Sequence, residues 1–258
     1  MISARRPIVI NAHVIWALML RESRMAFGTS HWGYLWAVLQ PAVTLSFLII
    51  IFVLIGRGAP FGESLGLFFA TSLLCQEYFN KLSVSLMRSF SSNKSLFAYP
   101  PVQTTDTVIA RLLLVSSVHV LVGALFYTSL YLTGYGAIPW RPELVILAFV
   151  MIGLFGLGIG MINAVIYSFF SSWQHFEKLF GRPLLFMSGT FYVPSMLPPE
   201  AISIIKWNPI IHMVEINRMG FYADYHSEIL DPLFIGFAIG GVLVVAMFAE
   251  RFTRKMRK

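Results

Sequence analysis

Long apolar runs dominate this chain and limit what it can fold into. Stretches nearly free of charge recur from Leu35 to Phe248. A helix of about 20 such residues, rising ~1.5 Å per residue, crosses the ~30 Å hydrocarbon layer of a bilayer. Only 12% of the residues are charged, whereas a soluble domain has about 25%. The sequence therefore predicts an all-α membrane protein that forms one helical bundle.

Six segments are predicted to cross the bilayer. Five of them are uninterrupted apolar runs, at Leu35–Ile55, Leu67–Met87, Val108–Leu132, Leu144–Phe170 and Leu233–Phe248. The remaining one, Pro183–Leu197, follows a short polar loop at Ser171–Arg182 and has about 15 residues, which barely reaches across the hydrocarbon. We therefore expect the fifth transmembrane segment to be broken or re-entrant.

A helix lying in the membrane interface is predicted before the first span. Ile8–His31 has a helical pattern, but its apolar part ends at Arg21-Glu22, too early to cross a bilayer. A polar stripe that includes Arg21 and Arg24 lies opposite an apolar face, which is typical of interfacial helices. A positively charged flank of the first span is the alternative. We divide the chain into a tail with interfacial helix, 1–31, and a six-span domain, 32–258.

Basic residues are distributed unevenly between the two sides of the predicted bundle. With the N-terminus inside, 15 of the 19 Lys and Arg residues fall in inner segments and four in outer ones. Positive charge gathers on the cytoplasmic side of membrane proteins. Both termini and the loop Arg88–Asp106 are therefore expected in the cytoplasm.

The loop Arg88–Asp106 is polar and rich in serine. Phe90, Lys94 and Phe97 share one helical face before Pro100-Pro101 ends any helix. A short cytoplasmic helix of this kind is well placed to receive a mechanical push from a soluble partner. A merely solvated loop is the alternative. The residues expected to make the contact are Ser91, Ser92, Asn93, Lys94, Leu96, Phe97 and Tyr99.

The chain lacks the motifs of an enzyme or a nucleotide-binding protein. It has no GxxxxGK[ST] phosphate loop, no GxSxG, no HExxH and no paired carboxylates, and its single cysteine, Cys75, rules out a metal-binding CxxC. No catalytic residue, metal ligand or cofactor is therefore predicted. Within the second span, Glu77 and Lys81 are spaced to neutralise each other. An ion-coupled carrier centred on Glu77 and His119 remains an alternative.

Three groups of short motifs carry a family resemblance. In chain order they are G-x-x-W-x-x-x-x-P from Gly33, N-x-x-L-x-x-x-P from Asn93, and S-G-x-F-Y … L-P … N-P-x-x-H-x-x-E-x-x-R from Ser188 to Arg218. They resemble the type-2 ABC exporter permeases. The last and longest is similar to the polysaccharide-exporting branch, and the chain looks most like the capsular-polysaccharide exporter permeases of Gram-negative bacteria.

The resemblance implies a transport subunit of the bacterial inner membrane that is not itself an enzyme. It implies a homodimer with two copies of a separate ATPase subunit, which binds ATP and Mg²⁺, and a periplasm-spanning export partner. It implies as cargo a lipid-linked acidic polysaccharide, which moves through a channel at the dimer interface, and no nucleic acid. An O-antigen, teichoic-acid or drug exporter is the alternative within the same class.

The resemblance also suggests roles for particular side chains. The polar loop would contact the ATPase. Arg21 and Arg24 would bind the lipid phosphate, for which a guanidinium is suited, or only ordinary headgroups. Candidates for the channel lining are hydroxyl and aromatic residues, for which packing and interface anchoring are the commoner roles: Tyr34, Trp36, Ser188, Thr190, Phe191 and Tyr192. Glu215 and Arg218, about one turn apart, would pair and brace the outer helices.

Overall fold

The computed structural model describes residues 5–27, 31–93, 103–254 and 256, and each regular element within them is helical. The helices are α1 (Arg5–Phe27), α2 (His31–Leu54), α3 (Leu65–Met87), α4 (Ser89–Ser92), α5 (Thr104–Leu132), α6 (Pro142–Phe169), α7 (Trp173–Met187), α8 (Pro199–Ile205), α9 (Pro209–Phe221) and α10 (Pro232–Thr253), with a 3₁₀ turn at Pro194–Met196. The all-α class predicted from the sequence is confirmed.

Three of the described helices, α5, α6 and α10, are long and apolar enough to cross a membrane. A shorter apolar stretch, Leu39–Leu54, forms most of α2. Helix α3 has a comparable length of 23 residues but contains several polar side chains. These helices coincide with the five uninterrupted runs predicted from the sequence, with ends that differ by a few residues.

Polar caps fix where several of these helices begin. Ser64 Oγ accepts a hydrogen bond from the Leu67 N–H at 3.2 Å at the start of α3. The Asp106 carboxylate accepts one from the Gln103 N–H at 2.9 Å at the start of α5. Asp231 caps α10 in the same way, through the first free N–H groups of that helix. These caps satisfy N–H groups that have no partner within the helix.

The region of the predicted fifth segment differs from the sequence-based assignment. Helix α7 begins at Trp173, so the predicted loop Ser171–Arg182 is wrong over most of its length. The sequence-based boundary follows polarity, because Ser171–Arg182 is polar and Pro183–Leu197 is apolar. Here α7 packs against α3 and α6 and continues through Pro183 at the loss of one backbone hydrogen bond. It ends at Met187, after only about 22 Å.

Helix α3 lies at the centre of the bundle and packs against α2, α5, α6, α7 and α9. Its contact with α6 depends on glycines. Tyr78, Leu82 and Leu86 of α3 lie over Gly153, Gly156 and Gly160 of α6, respectively. A Cβ atom at Gly160 would be 2.7 Å from the Cβ of Leu86. The close packing that the sequence predicted for the glycines of α6 is therefore present, and it holds α3 and α6 together.

The glycines of α10 differ from those of α6. A Cβ atom built at Gly236 or Gly240 meets nothing within 4 Å. The same sequence spacing, i and i+4, therefore serves helix packing within the chain in α6 but not in α10.

The α6 glycines predict a difference between two matched substitutions. Gly160→Ala should lower the free energy of unfolding by about 1–2 kcal/mol, because the overpacking cost exceeds the ~1 kcal/mol gain in helix propensity. Gly240→Ala should be neutral or stabilising, because its Cβ enters open space. Unfolding of the purified protein in detergent, followed by heat or denaturant, measures both. Equal stability of the two variants would show that the α3–α6 contact does not depend on Gly160.

Candidate functional site

Five polar side chains meet where the loop Arg88–Asp106 leaves the bundle. They come from three helices and the turn after α4, and we call them the Glu22 cluster: Arg21, Glu22, Ser92, Asn93 and Arg111. Three of the five are almost completely enclosed, with exposed fractions of 7% for Glu22, 0% for Asn93 and 6% for Arg111. The cluster therefore joins α1, α4 and α5 through buried polar contacts.

Arg111 is the positive centre of this cluster. Its Nη2 forms an ion pair with Glu22 Oε2 at 3.0 Å and donates to Ser92 Oγ at 2.5 Å. Its Nη1 donates to the backbone carbonyl of Ser85, near the end of α3, at 2.6 Å. One guanidinium therefore contacts α1, α3 and α4 while it is itself carried by α5.

Asn93 connects the same cluster to the loop. Its Nδ2 donates to Glu22 Oε1 at 2.9 Å and to the Ser89 carbonyl at 3.0 Å, and its Oδ1 accepts from Arg21 Nη1 at 2.5 Å. Asn93 is the last residue described before position 103. The start of the loop is therefore bonded to α1 through two side chains.

The buried ion pair makes this connection strong. Removing one partner of such a pair leaves an uncompensated charge and typically costs about 3–5 kcal/mol. Hydrogen bonds to a charged group in a low-dielectric interior are also stronger than those in water. We therefore treat α1, α4 and the first turns of α5 as one mechanical unit.

The predicted contact residues of the loop have mixed positions. Ser91 and Ser92 are exposed, and both bond to the Arg88 carbonyl. Asn93 is buried and faces α1. Lys94, Leu96, Phe97 and Tyr99 lie outside the described residues.

The two arginines predicted to bind a lipid phosphate also differ from each other. Arg21 donates to Asn93, so its guanidinium is partly used within the chain. Arg24 is exposed and lies beside Arg21 along a shallow hollow of α1 that also includes Leu20. Arg24 is therefore the more available of the two for a ligand.

Sequence reasoning missed Glu22 and Arg111. The available signal was the presence of a lone arginine, Arg111, four residues into an apolar run, because a charge at that depth requires a partner. The partner is 89 residues away in the sequence, so no spacing rule could identify it.

The candidates for a channel lining are mostly enclosed within the chain. Ser188 and Thr190 are buried and bonded to each other at 3.2 Å. Phe191 stacks on Phe186, with ring centroids 5.3 Å apart. Trp36 is 63% exposed.

Two further candidates complete that list. The Tyr192 carbonyl accepts a hydrogen bond from Arg218 at 3.2 Å, and its side chain is half-buried. Tyr34 lies in α2, but its side chain is outside the described part of the chain. Among the candidates whose side chains the structure describes, Trp36 is the most exposed.

The structure brings Glu215 and Arg218 together, as their spacing predicts. They form a fully buried ion pair of 3.4 Å, and Arg218 also donates to the Gly189 carbonyl at 2.5 Å and lies 4.2 Å from the ring centroid of Phe68. The Tyr225 hydroxyl donates to Glu215 at 2.7 Å. Burial, reinforced by this carboxylate, raises the pKa of Tyr225, so it stays protonated as a donor.

The other polar residues of the C-terminal motif also bind backbone. Asn208 caps α9 and donates to the Met187 carbonyl at 3.1 Å. His212 Nε2 donates to the Lys206 carbonyl at 2.7 Å, and its Nδ1 accepts from the Asp231 N–H at 3.3 Å. The motif therefore holds the turns around α7, α8 and α9 in place.

The polar residues of α3 do not pair as their spacing suggested. Among the described residues, no ion pair links Glu77 to Lys81, and Lys81 Nζ donates instead to Gln40 Oε1 of α2 at 2.9 Å. His119 bonds to the Val115 carbonyl at 2.9 Å and stacks on Tyr78. His119 is thus a hydrogen-bonded residue of the bundle, which weakens the ion-carrier alternative.

The described part of the chain is thus a helical bundle with several membrane-length apolar helices and a buried polar junction at one loop. The family model for the ABC-2 type transporter matches residues 13–222. The chain belongs to the ABC-2 type transporter family, and the resemblance noted in the sequence is confirmed.

Individual relatives are similar over most of their length. The chain is 32% identical to the polysialic acid transport protein KpsM of Escherichia coli, over 92% of this chain and 95% of that protein. It is 27% identical to the capsule polysaccharide export inner-membrane protein BexB of Haemophilus influenzae, over 85% of this chain and 83% of that protein. It is 22% identical to the corresponding protein CtrC of Neisseria meningitidis, over 94% of each chain. The chain is therefore homologous to capsule polysaccharide export permeases.

The Arg218 contacts predict a large loss of stability on truncation. Arg218→Ala leaves Glu215 buried without its cation and should lower the free energy of unfolding by about 3–5 kcal/mol. Arg57→Ala, in an exposed turn, should change it by less than about 0.5 kcal/mol. Both are compared by unfolding in detergent.

A milder variant covers the case in which Arg218→Ala does not accumulate. Tyr225→Phe removes only the donor to Glu215 and should cost about 1–3 kcal/mol. Wild-type stability for Tyr225→Phe would contradict the proposed brace.

Proposed function

We propose that this chain is the permease subunit of an ATP-driven ABC exporter that moves a lipid-linked capsular polysaccharide across the bacterial inner membrane. The observation that carries the proposal is its similarity to polysaccharide transport proteins over almost the whole of both chains. The family match covers residues 13–222 and so includes both the loop Arg88–Asp106 and the C-terminal motif that ends at Arg218.

The proposed topology has six crossings, a re-entrant fifth segment and both termini in the cytoplasm. The lengths of α2, α3, α5, α6 and α10 support five crossings. The region from α7 to α9 supports a re-entrant segment, because α7 is too short to cross and the chain turns at Gly189, which has a φ of +75°. The concentration of basic residues in the inner segments supports the orientation.

The proposed assembly is a homodimer with two ATPase subunits and a periplasm-spanning export partner. ATP and Mg²⁺ are bound by the ATPase, because this sequence has no phosphate loop. The exposed Ser91 and Ser92, with Lys94, Leu96, Phe97 and Tyr99, form the proposed ATPase contact. Arg24, assisted by Arg21, is the proposed ligand of the lipid phosphate, because a guanidinium binds phosphate oxygens in pairs.

The Glu22 cluster provides the path by which a push on this loop moves the membrane helices. The loop begins at Asn93, which is bonded to Glu22 on α1. Glu22 is paired with Arg111 on α5, and Arg111 is bonded to the Ser85 carbonyl of α3. Closure of the two ATPase subunits would therefore shift α1, α5 and the end of α3 together.

A cellular export assay tests the function itself. In a strain that lacks this chain, surface polysaccharide should be lost, and the wild-type chain should restore it. The double variant Leu96→Asp, Phe97→Asp should not restore it, because buried carboxylates disrupt an apolar contact, although its level in the membrane should be normal. Met256→Asp, an exposed apolar-to-acid change, is the matched control.

The same assay separates the alternatives. If the strain without this chain kept its capsule but lost O-antigen, teichoic acid or drug resistance, the lost material or the drug would be the cargo instead of a capsular polysaccharide. Transport by the purified chain without any ATPase would favour an ion-coupled carrier. Normal export by the Leu96→Asp, Phe97→Asp variant would remove the proposed ATPase contact.

The coupling role of the cluster requires a variant that keeps the fold. Replacing a buried ion pair with apolar residues of similar size is often neutral for stability, whereas losing one partner is not. Glu22→Leu with Arg111→Met should therefore unfold near the wild-type temperature, while each single variant is less stable. Export by the double variant should fall by about tenfold or more, in line with typical coupling energies.

The control is the ATPase activity of the assembled complex, which should persist in the double variant although export is lost. Normal export by a stable double variant would show that the cluster only holds the fold together.

A further inference from the structure

Helix α3 is buried except along a single stripe. From Gly66 to Met87, Lys81 is exposed, four residues are half-buried and the others are buried; the half-buried residues are Glu77, Asn80, Val84 and Ser85. The spacing of these five residues, i, i+3, i+4, i+7 and i+8, places them along one line of the helix. Three of the five are charged or carry an amide.

The exposed faces of the other apolar helices have a different composition. On α6 the exposed side chains include Ile146, Val150 and Leu154, and on α10 they include Phe237 and Val244. Such faces suit hydrocarbon, whereas a lysine or an acid near the middle of a helix costs about 2.5–3.5 kcal/mol in lipid. The α3 stripe is therefore unsuited to contact with lipid.

The position of Lys81 makes snorkelling an insufficient explanation. Lys81 is ~9 Å from the Met87 end of α3 and ~24 Å from the Leu65 end, at ~1.5 Å per residue. A lysine that escapes to the interface extends towards the nearer helix end. Lys81 instead reaches across to Gln40 on α2, itself exposed, and Glu77 lies one turn further from that end.

The stripe lies between α2 and α7, which both pack against α3. Gln40 borders it on the α2 side. On the α7 side is Gly181, where a Cβ atom would still be 4.0 Å from Asn80 Oδ1. Because Gly181 has no side chain, α7 does not cover Asn80 here, and Asn80 receives only a long hydrogen bond of 3.4 Å from Gln76. The amides of Gln40 and Asn80 and the ammonium group of Lys81 are therefore grouped on the part of α3 that the bundle leaves incompletely covered.

We propose that Gln40, Asn80 and Lys81 line the water-filled path of the cargo, with Lys81 as the group that attracts the negative charges of an acidic glycan. This rests on the proposed export function. The amides match the hydroxyl groups of a sugar, and a single cation opposes the carboxylates or phosphates of a polyanion. Glu77, one turn away, limits that attraction, so that the chain is drawn in but not retained.

Thiol labelling tests the aqueous path without reference to any cargo. The single native cysteine, Cys75, is buried, so the unmodified chain gives a low background. Because the reactive thiolate forms in water, a methanethiosulfonate reagent should modify Asn80→Cys and Gln40→Cys at least about tenfold faster than the lipid-facing controls Val150→Cys and Val244→Cys. Equal rates at all four positions would overturn the proposal.

The sign of the charge is tested with the same thiols. An anionic reagent should react with Gln40→Cys about fivefold faster than a cationic one of equal size, because Lys81 attracts it. Lys81→Gln in the same protein should remove this preference. A preference that does not change would overturn the role of Lys81.

Export in cells gives the final comparison. Lys81→Glu should abolish export of an acidic polysaccharide, Lys81→Gln should reduce it, and Lys81→Arg should restore most of what Lys81→Gln loses. Lys206→Glu, a charge reversal at an exposed turn, should export normally. Normal export by Lys81→Glu would overturn the charge role. Normal export by a strain without the chain would instead refute the proposed function and leave the labelling result standing.

Discussion

The ion pair between Arg111 and Glu22 is the interaction on which the loop end of the bundle depends. Burying these two charges costs several kcal/mol each, and their attraction offsets this only if the geometry is good and other hydrogen bonds complete the shell. Asn93, Ser92 and the Ser85 carbonyl provide those bonds. The pair is therefore stable only in an arrangement that also holds the start of the loop and the end of α3.

The opposite end of the bundle uses a similar pair for another purpose. Arg218 and Glu215 lie on the same helix, and their additional partners are the Gly189 and Tyr192 carbonyls and Tyr225. These partners belong to turns around one region, so the pair stiffens that region and does not join separate helices. The Glu22–Arg111 pair thus joins separate helices, whereas the Glu215–Arg218 pair stiffens a single region.

Sequence periodicity predicted the features that depend on neighbours in the chain. Apolar runs gave the long helices because a bilayer-length helix needs about 20 apolar residues. The spacing of Glu215 and Arg218 gave their contact. The contact between Glu22 and Arg111 was not predictable, because the two residues are 89 positions apart in the sequence. The hydrogen bond from Lys81 to Gln40 was not predictable either, because these residues are 41 positions apart. Local spacing favoured a pair between Lys81 and Glu77, but tertiary packing brings Lys81 to Gln40 instead. The start of α7 was misplaced because the segment Ser171–Arg182 is polar, whereas packing against α3 and α6 makes most of it helical.

The Glu22 cluster and the polar stripe of α3 are continuous in the structure. The Ser85 carbonyl that accepts from Arg111 belongs to the residue one turn after Lys81 on the same helix. A shift of α5 and α1 would therefore act on α3 directly below its exposed ammonium group, with no intervening loop to absorb the motion. Because Lys81 is bonded across to Gln40 of α2, that shift would also change the distance between α2 and α3, which borders the proposed path. The contacts on which coupling depends and those that line the path are thus separated by a single helical turn.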